Sequence, residues 1–436
     1  MATQPNPLAA GRPVYLVDGS RSPFLRARGK PGPFLASDLA FQAGRALLAR
    51  QPFSPDSFDQ VILGCVMGGP NEVNIARIVA LRLGCGERVP AWTVQRNCAS
   101  GLQALDCAAQ DIASGRSELV LAGGTEAMSH APVLFGTAMV AWLGALNSAR
   151  TAGARLKVLA SFRPAFLKPV IGLLCGLTDP LVELNMGQTA EELAWRFGIS
   201  REEMDAFALR SHQRLAAARE QGYLDEIETL YDSDGHYYDA DDGLRADTSM
   251  EKLARLKPVF DKPFGKVTAG NSAQITDGAA WLILASEDAV GKYGLPVLGR
   301  VVDSQWAALD PRQMGLGPVH AMAPILRRNG LDSNDIDVWE INEAFATQVL
   351  ACLRAWQDDE YCRTQLGLDG GFHPIDEARL NVDGGAVSIG HPVGASGARI
   401  VLHALKVLHR EQRRRAMTSL CIGGGQGGAM LLERVD

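Results

Sequence analysis

The chain has 436 residues, of which 47% are hydrophobic, 21% charged and 6% aromatic, and its formal net charge is −6. A chain of this length can form two or three domains around at least one large core. The only basic cluster is Arg413-Arg414-Arg415, so nucleic-acid binding has little electrostatic support.

Eight cysteines are scattered along the chain without a C-x-x-C pair or a histidine cluster at ligand spacing. A metal site is therefore not expected. The first twelve residues are polar and broken by proline, and the apolar run at 14–17 is too short for a secretory signal. We expect a cytoplasmic protein with free thiols.

Strand-like and helix-like segments alternate through the first part of the chain. Apolar runs predict strands at 14–17, 60–64, 92–94 and 119–122, the last ending at two glycines, and helical spacing predicts helices at 36–48 and 101–113. This alternation predicts a mostly parallel sheet with helices on both faces.

The last part of the chain repeats this order. Strand-like runs at 298–302, 335–341 and 419–424, and a helix at 395–408, match four elements of the first part. All α/β proteins share such alternation, but four elements in the same order favour an internal duplication. A duplication would bring the turns before the two matching helices together on a pseudo-twofold axis.

A different region, residues 129–255, separates the halves. No acidic residue occurs from Ala127 to Thr178, and the apolar run at 131–146 is shorter than the ~20 residues of a membrane span. Beside basic neighbours it could be an interfacial helix on anionic lipid, but a lid or partner-contacting helix is favoured. Ser200 and Glu203 predict the capped start of a helix to Arg219, and residues 231–245 predict an exposed loop.

Three distant segments place a Cys or His between an apolar run and glycine-rich backbone. Cys98 precedes a predicted helix, whose N-terminus should lower the thiol pKa. His391 lies between Gly390 and Pro392 and is the obvious base for that thiol, whereas three other histidines read as surface or groove residues (His212, His403 and His409). Four other cysteines read as buried and inert (Cys65, Cys107, Cys175 and Cys352).

Cys421 ends a predicted strand and leads into three glycines, whose N–H groups can form an oxyanion hole. A second thiol beside an acylated first thiol suits the deprotonation or protonation of a carbon acid. Asn342 follows the strand that ends at Ile341 and could position a water, although a helix cap is an equal alternative.

Eight blocks in order along the chain resemble the thiolase family. They are Asn97–Ala104, Gly123–Ser129, Met186–Glu191, Thr268–Asn271, Asp277–Ala279, Asn342–Ala346, Gly390–Arg399 and Cys421–Gly428. The resemblance implies an α/β thiolase fold, with duplicated halves forming a five-layered αβαβα core and an inserted loop domain. The implied units are residues 1–128 with 256–290, the loop domain 129–255, and residues 291–436.

The resemblance also implies the roles of the catalytic residues. Cys98 resembles the acyl-accepting nucleophile, His391 the base that activates it, and Cys421 the acid/base that acts on the α-carbon of acetyl-CoA. Asn342, through a water, and His391 resemble one oxyanion hole. The N–H groups of Cys98 and Gly423 resemble the other.

Five further residues fall at substrate- and CoA-binding positions of the family. Arg245 lies where the family contacts the adenine side of CoA, and Met186 and Phe345 line the acyl and pantetheine path. Ala269 and Ala273 are the other two expected substrate or CoA contacts. CoA is a substrate here, and neither direction of the reaction needs a metal or a bound cofactor.

The expected activity is thiolysis of 3-ketoacyl-CoA to acetyl-CoA and a shortened acyl-CoA, closest to the thiolase subunit of a β-oxidation complex. Asn342 stands where those subunits usually carry histidine, a feature shared with stand-alone thiolases, so a short-chain acetyl-CoA acetyltransferase is an alternative. Asn185 in turn stands where short-chain biosynthetic thiolases have histidine. A decarboxylating ketoacyl synthase is opposed by Cys421, and a non-catalytic lipid carrier or membrane scaffold by the intact Cys98, His391 and Cys421. We expect a homodimer or a homotetramer. Further expected partners are a hydratase–dehydrogenase subunit and a membrane surface that the loop domain would contact.

Overall fold

The computed structural model of the protein describes Asn6, Leu8 and residues 11–435. Its N-terminal elements are β1 (Tyr15–Arg21), β2 (Leu25–Arg26), α1 (Ala36–Ala49), β3 (Gln60–Gly64), α2 (Ile75–Arg82), β4 (Ala91–Val94), α3 (Ser100–Ala113) and β5 (Leu119–Ala127). The middle of the chain forms β6 (Val133–Phe135), α4 (Thr137–Ser148), α5 (Ala152–Ala160), β7 (Pro169–Ile171), α6 (Gly172–Gly176), α7 (Met186–Arg196), α8 (Arg201–Glu220), β8 (Leu230–Tyr231), β9 (Tyr237–Tyr238) and α9 (Met250–Ala254). The remaining elements are β10 (Thr276–Ala285), α10 (Glu287–Tyr293), β11 (Gly299–Ala308), α11 (Gly317–Asn329), β12 (Val338–Ile341), α12 (Ala346–Gln357), α13 (Asp359–Tyr361), α14 (Ala386–Ile389), α15 (Ser396–Arg410), β13 (Arg415–Ile422) and β14 (Gln426–Glu433).

The main sheet is mixed, so the prediction of a mostly parallel sheet is wrong. Its strand order is β12-β13-β14-β11-β1-β10-β5-β3-β4, with β2 paired to β10. The pairs β3–β4, β3–β5 and β12–β13 are parallel, and the pairs formed by β10 and β14 are antiparallel. Strand β10 returns from the middle of the chain and enters between β1 and β5, which the local pattern did not indicate.

The predicted duplication is confirmed by the strand pairing. The order β1-β10-β5-β3 recurs as β11-β14-β13-β12, and in both sets the successive pairs are antiparallel, antiparallel and parallel. The two sets meet where Tyr15 and Leu16 pair with Arg300 and Gly299.

Burial on both sheet faces produces the five layers that were predicted. In β5, Val120 and Ala122 point into the central core with α3 and α15, whereas Leu119 and Leu121 point into an outer core with α1 and α2. The C-terminal strands share the same central core and cover a second outer core with α11 and α12. Strands buried on both faces read as continuous apolar runs, which is why the sequence shows them so clearly.

One predicted strand end shifts for a local reason, and one predicted helix start is confirmed. Strand β5 continues through Gly123 and Gly124 instead of ending there. A Cβ on Gly124 would lie 1.9 Å from the carbonyl oxygen of Gly394, so this position accepts only glycine where the two segments cross. The predicted capped helix is confirmed as α8, in which the Ser200 hydroxyl accepts the Glu203 N–H.

The apolar run at 131–146 forms β6 and most of α4. Of the residues in α4 only Met139 is buried, which does not fit the prediction of a lid packed over the active site. Trp142 joins α4 to α5 by donating its Nε1–H to the Val158 carbonyl at 2.8 Å. Among the described residues, no helix is both long enough and apolar enough to cross a bilayer.

The prediction of an exposed loop at 231–245 is wrong at its C-terminal end. Strands β8 and β9 form a hairpin, and Asp241 beyond it is buried. Its carboxylate accepts hydrogen bonds of 2.7 and 2.9 Å from the Arg21 guanidinium of β1. A buried charge needs such a partner, and this one lies far away in sequence.

Candidate active site

The turn that carries Cys98 and the turn that carries His391 meet where α3 and α15 touch at their N-terminal ends. A Cβ on Gly101 would lie 2.8 Å from the Gly394 carbonyl oxygen, and one on Gly397 would lie 2.4 Å from the Leu102 nitrogen. The glycines therefore let the two backbones come into direct contact. Cys98 and His391 lie shortly before these two helices, at the same end of the central layer.

Cys98 lies against the glycine turn that follows Cys421. Its sulfur accepts hydrogen bonds from the backbone N–H groups of Gly423 and of Cys98 itself. These are the two N–H groups that were predicted to form an oxyanion hole. The prediction of a lowered pKa for Cys98 is wrong, because burial raises the pKa of the thiol and the two N–H groups only partly offset it.

Asn97 fixes this arrangement and was not singled out from the sequence. Its backbone has a φ of 43°, in the left-handed region that asparagine tolerates better than most residues. Its amide Nδ2 donates to the Gly423 carbonyl oxygen at 2.9 Å. Asn97 thus joins the turn of Cys98 to the turn of Gly423, and the only signal for it was its place directly before Cys98.

His391 is buried with each ring nitrogen beside a polar partner. Nδ1 lies 2.6 Å from the Ser396 Oγ, and Nε2 lies 3.4 Å from the Asn342 amide nitrogen. The backbone N–H of His391 donates to the Gln274 carbonyl at 3.0 Å. Burial, together with the positive charge of Arg399, lowers the pKa of His391 to about 4, so the ring is neutral at pH 7.

Cys421 is the buried second thiol, at the end of β13. It packs in one apolar cluster with Phe345 and Ala344, and Met186 lies against the same cluster. Burial, with a further contribution from the neighbouring Cys98, raises the pKa of Cys421 well above its ordinary value. Cys421 is therefore a protonated thiol at neutral pH.

Arg245 and Ala269 line one pocket of about 180 Å³, together with Lys252 and Gln274. Because Gln274 also accepts the His391 N–H, this pocket adjoins the catalytic turn. Its cations suit a phosphate-bearing ligand.

Ala273 lies on the same segment as this pocket and donates its N–H to the Ala344 carbonyl at 3.0 Å. Through this bond the segment of Ala273 is held against the segment that carries Asn342 and Phe345. The structure therefore gathers the ten predicted site residues around one region.

Several cysteine and histidine predictions need correction. His403 is fully buried between Glu226 and Asp383, with both contacts at 3.0 Å, and His212 is also buried. His403 is therefore neither a surface nor a groove residue, whereas His212 lines a pocket with Arg245, in agreement with the groove alternative. Cys65 and Cys352 are buried as predicted, but Cys107 is half-buried and Cys175 is exposed.

Two buried charged residues near the turns of Cys98 and His391 were also not predicted from the sequence. Glu126 accepts the N–H groups of Val66 and Met67 at 3.0 and 2.9 Å, and burial raises its pKa to about 7. Arg399 pairs with Glu340 at 3.1 Å. Both lie inside recognisable motifs, but no local pattern indicated their partners.

A thiol beside two backbone donors, a neutral imidazole and a second protonated thiol suit an enzyme that transfers acyl groups through a cysteine thioester. The domain described as "Thiolase, N-terminal domain" matches residues 14–288, and "Thiolase, C-terminal domain" matches residues 295–434. The chain belongs to the thiolase family and is an acyltransferase.

Similar proteins match over nearly the whole chain. A β-ketoadipyl-CoA thiolase from Pseudomonas aeruginosa is 41% identical, covering 97% of this chain and 100% of the relative. The mitochondrial trifunctional enzyme subunit beta from Bos taurus is 36% identical, covering 97% of this chain and 88% of the relative. The crystal structure of human mitochondrial 3-ketoacyl-CoA thiolase in complex with CoA superposes with a TM-score of 0.84 at 36% identity, covering 100% of both chains.

Proposed function

We propose that this thiolase cleaves 3-ketoacyl-CoA to acetyl-CoA and a shortened acyl-CoA in fatty-acid β-oxidation, with Cys98, His391 and Cys421 as the reacting groups. The observation that carries the proposal is the site itself. The Cys98 sulfur accepts the Gly423 N–H, and Cys98 lies close enough to a second buried thiol, Cys421, to contribute to the raised pKa of that second thiol.

In the first half-reaction, the Cys98 thiol gives its proton to His391 and its sulfur attacks the 3-keto carbon. The bond between C2 and C3 breaks, its electron pair stays on C2, and the Cys421 thiol protonates that carbon. Acetyl-CoA leaves, and the remaining acyl group is a thioester on Cys98. The N–H groups of Cys98 and Gly423 stabilise the oxyanion that forms during these steps.

In the second half-reaction, CoA attacks the thioester and releases Cys98. The proton on His391 and the proton of the CoA thiol return to Cys421 and Cys98, so the enzyme ends as it began. The pocket of Arg245 and Ala269 would hold CoA, while Met186, Ala273 and Phe345 would line its reactive end. The human relative crystallised with CoA supports this choice of substrate.

Substrate range is tested by thiolysis of three purified substrates, with Cys98→Ala as the inactive control. Acetoacetyl-CoA, 3-oxopalmitoyl-CoA and 3-oxoadipyl-CoA represent short, long and dicarboxylic chains, the last chosen from the name of the Pseudomonas relative. Strong activity on 3-oxopalmitoyl-CoA supports β-oxidation. Activity confined to acetoacetyl-CoA would make the protein a short-chain acetyltransferase instead.

Assembly, location and domain boundaries extend this proposal. We propose a homodimer or homotetramer in the cytoplasm, with a hydratase–dehydrogenase subunit as a further partner. The trifunctional enzyme subunit beta among the relatives supports such a partner. The proposed units are residues 1–128 with 256–290, the loop domain 129–255, and residues 291–436. The entry of β10 between β1 and β5 supports the first of these units.

A peripheral membrane contact is proposed for residues 131–178 of the loop domain. In this segment large apolar side chains are exposed, among them Leu156 at 70% and Val140 at 58%. Five exposed cations accompany them without any acidic residue (Arg150, Arg155, Lys157, Arg163 and Lys168). Apolar and cationic groups together suit an anionic bilayer surface, whereas a second copy of the segment would repel the first.

Co-sedimentation with vesicles tests the membrane contact. The wild type should pellet with phosphatidylglycerol vesicles more than with neutral ones and should be released by salt. The double variants Leu156→Ser/Leu159→Ser and Arg155→Glu/Lys157→Glu should stay in solution with thiolysis intact. The exposed apolar residues Val73 and Phe264 lie elsewhere, so Val73→Ser/Phe264→Ser is the control. Failure of the wild type to pellet would refute the contact without touching the thiolase activity.

A further inference from the structure

Behind the catalytic imidazole lies a hydroxyl group that the reaction itself does not use. Ser396 is the first residue of α15, is 1% exposed, and places its Oγ 2.6 Å from Nδ1 of His391. The same Oγ donates to the Pro392 carbonyl oxygen, four residues earlier, at 3.1 Å. Serine near a helix start commonly bonds back to this carbonyl.

Counting protons indicates the direction of the contact with His391. A serine hydroxyl has one hydrogen and two lone pairs, and here the hydrogen goes to the Pro392 carbonyl. Oγ can then only accept from His391, so Nδ1 carries the imidazole proton and Nε2 carries the lone pair. The Asn342 amide nitrogen, a donor, lies 3.4 Å from Nε2, a placement that suits a lone pair there.

The position of Ser396 is itself fixed by charged residues farther along α15. Arg399 pairs with Glu340, His403 with Glu226 and Asp383, and Arg410 with Asp383. Together with Ser396 these residues are spaced by 3, 4 and 7 positions, which places them on one face of the helix. This row of ion pairs resists rotation or sliding of α15, either of which would move Oγ away from Nδ1.

We propose that Ser396 is a positioning residue that holds His391 in the Nδ1-protonated tautomer, so that Nε2 is free to take the proton of Cys98. The proposal rests on the role of His391 as the base. The Cys98 S–H bond breaks, its proton binds to Nε2, and the thiolate attacks the substrate. The imidazolium keeps its Nδ1–H bond to Ser396 throughout.

The first test reads the tautomer directly and does not depend on activity. Nitrogen-15 and proton NMR of histidine-labelled protein distinguishes protonated Nδ1 from protonated Nε2, and His391→Ala assigns the signal. The wild type should show Nδ1 protonated and Nε2 free, and Ser396→Ala should show a mixture of both tautomers. Protonation of Nε2 in the wild type would overturn the proposal, whatever the enzyme's activity.

The second test measures acylation of Cys98 by acetyl-CoA in a single turnover across pH. Ser396→Ala should slow acylation at least about 10-fold, a part of the 10²–10⁴-fold that a positioned base contributes. Ser396→Thr, which keeps the hydroxyl, should recover most of the rate. Ser286→Ala removes another buried serine, the cap of α10, and should leave acylation unchanged.

Two outcomes separate this proposal from the proposed function. If folded Ser396→Ala acylates at the wild-type rate with an unchanged pH profile, the positioning role of Ser396 is refuted. The role of His391 as the base would not be affected. If His391→Ala acylates at the wild-type rate, the role of His391 as the base is refuted. The proposed role of Ser396 in activity would then be refuted as well.

Discussion

Cys98 and His391 form a neutral pair in the resting enzyme. Burial raises the pKa of the Cys98 thiol, and burial with Arg399 lowers the pKa of His391 to about 4. At pH 7 the thiol keeps its proton and the ring lacks one, so no thiolate–imidazolium pair is formed in advance. Because the thiolate is the reactive form of cysteine, a protonated Cys98 limits side reactions of the resting enzyme.

The neutral pair predicts where acylation loses its rate in acid. A base works only while unprotonated, so acylation of Cys98 by acetyl-CoA should fall with a midpoint near pH 4 instead of the ordinary histidine value of 6.5. Rapid-quench measurement after a pH jump, with circular dichroism to confirm folding, gives the profile. A midpoint near 6.5 would show that the buried environment does not depress His391.

Cys421 should matter for carbon chemistry but not for acyl acceptance. Its raised pKa keeps the thiol protonated, as the proposed delivery of a proton to the acetyl-CoA carbanion requires. In Cys421→Ala, acylation of Cys98 should persist while thiolysis of acetoacetyl-CoA falls 10²–10⁴-fold. Cys352→Ala removes another buried thiol and should retain thiolysis. Full condensation activity in Cys421→Ala would refute the role.

At the scale of elements, the contact between α3 and α15 sets the spacing of the reacting groups. Alanine at Gly101 would place a Cβ 2.8 Å from the Gly394 carbonyl, and alanine at Gly397 would place one 2.4 Å from the Leu102 nitrogen. Backbone cannot yield as a side chain can, so each change should cost about 1–3 kcal/mol and lower thiolysis.

Gly291 in α10 is the matched control, since a Cβ there meets nothing within 4 Å. Gly291→Ala should be neutral or stabilise the protein by up to about 1 kcal/mol, as expected for alanine inside a helix. Urea unfolding and thiolysis of acetoacetyl-CoA measure the three variants together. Full stability and activity in Gly101→Ala would mean that the helices can separate without harm.

Sequence reasoning succeeded where the signal is local. An apolar run predicted β3, and the capping pattern of Ser200 and Glu203 predicted the start of α8. The glycine-rich turns marked Cys98, His391 and Cys421. It failed where a partner lies far along the chain, as when β10 enters between β1 and β5 or Asp241 meets Arg21. It also missed Ser396, because a serine beside a histidine motif has no visible function until the turn brings the two side chains together.

At the scale of the molecule, a buried charge cluster joins the two halves to the middle region. Arg21 of β1 pairs with Glu226 and Asp241, Glu226 also contacts His403 of α15, and His403 contacts Asp383. Burial alone would lower the pKa of His403, but Glu226 and Asp383 outweigh it and raise the pKa to about 10. His403 is thus a buried cation in neutral solution, bonded to carboxylates from both sides.

This raised pKa predicts how stability changes with pH. The folded protein holds the His403 proton up to about pH 10, whereas the unfolded chain releases it near 6.5, so the contribution is complete below 6.5 and is lost as pH rises towards 10. His403→Gln should lower the free energy of unfolding by about 3–5 kcal/mol at pH 6.5, the cost of removing one member of a buried ion pair. In urea unfolding series, the difference in the free energy of unfolding between wild type and variant should shrink steadily towards pH 10. Taking this difference cancels the titration of other groups. The exposed His236 provides the control variant His236→Gln, which should follow the wild type throughout. A difference that stays constant from pH 6.5 to 10 would mean that His403 contributes by packing alone and carries no buried charge.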